Sequence, residues 1–209
     1  MKNNNRLEIN RTDFYLVSFI GASFALFSVP IIINLGIPII TINVFNVFAL
    51  VIFFVIFANI ALGLAWFIGK KIPIIFQFAK FAAVGAFNTF LDWGILNLLM
   101  AITLITSGVG FSIFKGISFT IATISAYFWN KYWTFGAKDK SNKQEVTRFI
   151  MISLSGLVIN VGLASLIIYI FRDTTLVNSA QLANIAAASA TMLSLIWNFV
   201  GYKLFVFKK

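Results

Sequence analysis

The sequence predicts an all-α integral membrane protein with six transmembrane helices and both termini in the cytoplasm. Sixty per cent of residues are hydrophobic, 11% are charged and the mean hydropathy is +0.96, values that a soluble domain does not reach. No charged residue occurs between Phe14 and Gly69, enough chain for two helices of the roughly 20 residues a bilayer core requires. Basic residues cluster at alternate span ends, and the long apolar runs differ from the short alternating segments of a membrane barrel.

The six spans run Phe14 to Leu35, Val44 to Ile68, Phe81 to Ile105, Phe111 to Phe128, Phe149 to Phe171 and Ala180 to Val200. The first exceeds a signal-peptide core and no small-residue cleavage pattern follows it, so it is expected to remain as a helix. NLGIP at Asn34 to Pro38 ends it, KKIP at Lys70 to Pro73 ends the second, and TSGVG at Thr106 to Gly110 parts the third from the fourth. Each segment must be helical to satisfy its backbone in lipid. With the N terminus inside, fourteen of the sixteen Lys and Arg residues face the cytoplasm, and only Lys115 and Arg172 do not. Retention of basic residues inside, with attraction to anionic lipid, accounts for the net charge of +10, so no nucleic-acid partner is expected.

A shift of 68 residues lays KFAAVGAFNTFLDWG (Lys80 to Gly94) over RFIMISLSGLVINVG (Arg148 to Gly162), matching Gly85 to Ser153, Asp92 to Asn160 and Gly94 to Gly162. A shift of 72 lays NKYWTF (Asn130 to Phe135) over YKLFVF (Tyr202 to Phe207), with Lys131 over Lys203. Residues 80–135 and 148–207 therefore read as two copies of a helical hairpin. Both enter from the cytoplasm, which makes the repeat parallel, about an axis along the membrane normal.

These positions resemble the GtrA-like family of small membrane proteins. The family opens its first helix with a basic residue and Phe, carries Asn and Asp inside it, and exits through Asn-basic-x-Trp-Thr-Phe. Here the matches are Lys80, Phe81, Gly85, Asn88 and Asp92, then Asn130, Lys131, Trp133, Thr134 and Phe135, and the resemblance covers about Phe76 to the C terminus. It implies a four-helix membrane domain over residues 73–209, preceded by two accessory helices within residues 1–72. It also implies translocation of polyprenyl-phosphate-linked sugars across the cytoplasmic membrane for polysaccharide or teichoic acid glycosylation, beside a separate membrane glycosyltransferase. Two features depart from the pattern: the additional first two spans, and Lys131 where Arg is expected. Lysine makes a point contact to phosphate rather than a bidentate fork.

Asp92 is the sharpest candidate. It lies eleven residues beyond Phe81, about 16 Å along a helix and near the middle of a roughly 30 Å core. A carboxylate there costs about 3 kcal/mol to insert, so it marks either a pathway or a protonated packing contact between helices. Asn88 shares its face one turn away. The sixth span carries Asn184, Ala187, Thr191, Ser194, Asn198 and Gly201 three and four apart, a small polar stripe that serves tight packing or lines a pathway; Asn160 on the fifth span poses the same alternative. Lys80, Lys131, Arg148 and Lys203 stand at matching hairpin ends, where a ring of cations would hold a lipid phosphate with its tail beside Trp129, Tyr132 and Trp133. Singly, each is equally an interfacial anchor. Lys115 is expected to snorkel to the outer headgroups, and the acids other than Asp92 read as loop charges.

No phosphate-cradling glycine loop, acid pair or metal-ligand spacing is present, and the chain has neither Cys nor His. The expectation is a protein that is not an enzyme and uses no cofactor or metal. It binds a polyprenyl-phosphate sugar at Lys80, Asn88, Asp92, Asn130, Lys131, Trp133, Arg148, Asn160, Asn198 and Lys203, and a homodimer would thicken its thin wall. The alternative is a non-transporting scaffold that recruits the glycosyltransferase.

Overall fold

The computed structural model describes residues 9–35, 42–173 and 179–208, and all regular structure among them is helical. Six α-helices follow in order: α1 (Arg11–Leu35), α2 (Val44–Gly69), α3 (Pro73–Thr103), α4 (Gly108–Trp129), α5 (Lys143–Phe171) and α6 (Ser179–Gly201). Short π-helical turns, π1 (Asn130–Thr134) and π2 (Tyr202–Val206), extend α4 and α6. Among the described residues, five helices are long and apolar enough to cross a membrane, α1 to α5. The molecule is thus an all-α, multi-pass membrane protein. Asn184 and Ala187 of the expected α6 stripe have side chains outside the described residues, as do Lys2, Arg6 and Lys209.

Helix ends follow local chemistry more closely than hydropathy. Pro73 sits in the first turn of α3, where its missing N–H costs nothing, so the helix begins eight residues before Phe81 and places Lys80 inside its third turn. Asn142 caps α5 by accepting from the Glu145 amide at 2.8 Å, which starts that helix at Lys143. Asn43 caps α2 in the same manner through the Asn46 amide. Asp13, expected in a loop, lies in the first turn of α1 and accepts from the Asn10 backbone N–H at 3.1 Å, one half of a capping box.

The chain divides into two compact units, residues 1–134 and 135–209. In the first, α1 packs on α2 and α3, and α3 packs on α4 and π1. Its core is apolar, with Val17, Ile20, Leu62, Phe76, Val84, Phe87, Leu91 and Trp133 buried together. A Cβ built on Gly21 would meet the Phe54 carbonyl oxygen at 2.6 Å and its carbon at 2.9 Å, so glycine is what lets the α1 and α2 backbones approach. In the second unit α5 packs on α6 and π2. Phe149 stacks on Tyr202 at 4.6 Å, and Phe135 stacks on Phe207 at 5.2 Å.

Candidate functional site

The Asp92 carboxylate is fully engaged across the α3–α4 hairpin. Its Oδ2 accepts from Lys115 Nζ at 2.5 Å, and its Oδ1 accepts from Ser118 Oγ at 2.6 Å. Asp92 lies eleven residues before the end of α3 and Lys115 seven after the start of α4, placing the pair roughly 10 to 16 Å from the hairpin turn. Lys115, expected to reach the outer headgroups, is instead paired with Asp92, whose carboxylate neutralises it between the two apolar helices. Ser118 is completely buried. Ser118 does not stand out in the sequence, and Lys115 does so only as an anchor. The signal is two opposite charges on consecutive apolar spans at similar distances from the turn that joins them.

The second hairpin has a neutral counterpart. Asn160 Nδ2 donates to Thr191 Oγ1 at 3.3 Å and Ser194 Oγ at 3.2 Å, bridging α5 to α6. Trp197 Nε1 donates to Ser155 Oγ at 2.8 Å, and Ser153 shares a 2.6 Å hydrogen bond with the Tyr202 hydroxyl. A Cβ on Gly156 would collide with the Asn198 side chain, so this glycine makes the room in which Asn198 lies.

Several polar residues read from the sequence carry acceptors that no protein donor reaches. Among the described residues these are Oδ1 of Asn88, Asn130 and Asn198, and Oγ1 of Thr134. Asn88 is 7% exposed, Asn130 3% and Thr134 5%. The amide nitrogens are occupied locally, Asn88 donating to the Val84 carbonyl and Asn130 to the Ala126 carbonyl. A buried acceptor left unpaired costs about 1–3 kcal/mol, so a water or a ligand hydroxyl donating to any of these oxygens would be stabilised there.

The four cations differ in setting. Lys131 is fully enclosed, with its ammonium 5.8 and 5.9 Å from the Tyr127 and Tyr132 rings. Lys80 is bound by Asp13, with Nζ to Oδ1 at 2.5 Å, and lies 4.6 Å from the Phe76 ring. Arg148 is exposed and donates to the Phe205 carbonyl at 3.3 Å, while Lys203 is half-buried over Phe199. The rings of Tyr127 to Phe135 (YFWNKYWTF) answer to two tasks. Trp133 is buried and donates its indole N–H to Asp13 at 2.9 Å. Phe128, Trp129, Tyr132 and Trp133 line a cleft of about 430 Å³ with Thr12 and Leu16 of α1.

Comparison with known proteins places this arrangement. A model of the GtrA/DPMS transmembrane domain matches residues 80–207. The chain belongs to this GtrA-like family. The match opens on Lys80 and closes on Phe207, so it contains both hairpins and both π-helical turns, and α1 and α2 precede it. The uncharacterized membrane protein YngA of Bacillus subtilis (strain 168) is 30% identical over 128 residues, which are 61% of this chain and 77% of that protein. Among the described residues no group of His, Cys, Asp and Glu is arranged to hold a metal ion.

Proposed function

We propose that this GtrA-like protein translocates a polyprenyl-phosphate-linked monosaccharide across the cytoplasmic membrane, in support of cell-surface polymer glycosylation by a separate glycosyltransferase. The observation that carries this reading is the set of buried acceptors on Asn88, Asn130 and Thr134 that lack protein donors. A sugar crossing a bilayer needs a hydrogen-bond partner for each hydroxyl it strips of water, and hydroxyls are the donors these oxygens lack. Arg148 and Lys203, at the wetter end of the second hairpin, offer cations to the phosphate. Membership in a family associated with lipid-linked sugars points the same way. In reconstituted liposomes, labelled polyprenyl-phosphate sugar should reach the opposite leaflet faster with the protein than without it. Equal rates, combined with co-purification of a glycosyltransferase, would establish the scaffold instead.

The proposed topology has six spans, cytoplasmic termini and a parallel repeat. Its support is local: π1 and π2 fall at positions 72 residues apart, the shift that aligns NKYWTF with YKLFVF. π-helical turns are rare and concentrate at functional sites, so a matched pair fits a duplicated element. The chain lacks Cys, so single cysteines report without background. Lys138→Cys should label with an impermeant reagent only when the inner face is opened, and Asp173→Cys from outside. Labelling of both from one side would end the six-span topology.

A further inference from the structure

Lys80 and Trp133 belong to the matched domain, but the group they hold does not. Asp13 Oδ1 accepts from both Lys80 Nζ, at 2.5 Å, and Trp133 Nε1, at 2.9 Å, while its Oδ2 accepts from the Asn10 amide. The carboxylate is 4% exposed and comes from α1, outside residues 80–207. An ammonium and an indole N–H converging on one oxyanion would serve a phosphate oxygen equally, since both anions accept charge-assisted hydrogen bonds from the same donors.

We propose that Lys80 and Trp133 form an anion site for a lipid phosphate, and that α1 closes this site with its own anion, Asp13. A phosphate-bearing lipid must displace the carboxylate, and α1 with it, to reach Lys80. Helix α1 is on this account a gate on headgroup access at the first hairpin. Among the described residues, the cation at the corresponding position of the second hairpin, Arg148, is exposed. The identity of the anion as a lipid phosphate rests on the translocation reading; the displacement does not.

Binding by the full chain in nanodiscs tests this, with a long-chain alkyl phosphate as probe and the matching alkyl alcohol and inorganic phosphate as controls. Asp13→Asn keeps the shape and an acceptor for Trp133 but removes the competing charge. If the closed form holds about nine-tenths of the molecules, the variant should bind alkyl phosphate about tenfold more tightly. Its alcohol affinity should not change, and adding Lys80→Gln should erase the gain. A gain for inorganic phosphate as well would make the site one for free anion and overturn the lipid assignment. Unchanged or weaker alkyl phosphate binding by a variant that melts with the parent overturns the gate.

Should Asp13→Asn misfold, Val17→Cys in the otherwise parental chain decides the matter. Val17 is buried on α1, so alkyl phosphate should accelerate its reaction with maleimide, and no acceleration overturns the proposal. A binding gain without translocation in liposomes would sink the translocator and leave the gate. Translocation without the gain would do the reverse.

Discussion

Asn88→Leu and Asn130→Leu are expected to raise the melting midpoint of the purified protein and to cut sugar-lipid translocation by at least about tenfold each. The two effects have one cause. Each asparagine spends its N–H on a carbonyl in its own helix and leaves a buried oxygen without a donor from the protein, a standing cost that leucine, with the same branched arrangement of heavy atoms, removes. A residue kept for packing has no reason to be the less stable choice, whereas one kept to receive a substrate hydroxyl does. Thermal melting in detergent beside liposome translocation rates reads both quantities on one preparation. If both variants melt lower and transport normally, the asparagines are packing residues and the polar pathway through the first hairpin is lost. Asn198→Leu extends the comparison to the second hairpin, where Gly156 leaves room for the side chain.

Much of this fold is legible in the sequence because the bilayer restricts the choices. Uninterrupted apolar runs such as Phe14 to Gly69 have to become helices, and their polar interruptions have to mean something. Asn88, Asp92 and Asn160 stand out for that reason, and so does the family, whose fixed polar positions are visible against an apolar background. Helix starts are less legible. Hydropathy places the third span at Phe81, but Pro73 favours an earlier start and carries α3 through Lys80. Partnerships are the least legible, because they depend on which face of one helix meets another. Asp13 and Lys80 stand 67 positions apart, and nothing in the sequence announces that an acid just ahead of the first apolar run is buried against α3. Lys115 reads as an anchor until Asp92 is seen at its depth. Lys131 illustrates the same limit from the other side: the repeat identifies it, but not that a lysine at a span end is enclosed within a π-helical turn.

The Asp92–Lys115 pair gives a second test, in which single and double substitutions should diverge. Asp92→Leu leaves the Lys115 ammonium without its counter-ion inside the membrane, and Lys115→Leu leaves the carboxylate supported by Ser118 alone. An unpaired charge at this depth costs about 3 kcal/mol, because it is stranded where solvation is poor. Both single variants should therefore melt well below the parent or insert poorly. The double variant, Asp92→Leu with Lys115→Leu, strands neither charge and should recover most of the lost stability, since a desolvated pair contributes little beyond apolar packing of similar volume. Translocation should not recover with it. A sugar passing α3 and α4 would find leucines where it had a carboxylate and an ammonium, and should cross at least about tenfold more slowly. A double variant that both folds and transports like the parent would reduce the pair to a helix clamp. A double variant destabilised by the sum of the two single losses would mean that the two charges are not coupled, and that the 2.5 Å contact does not hold the hairpin together.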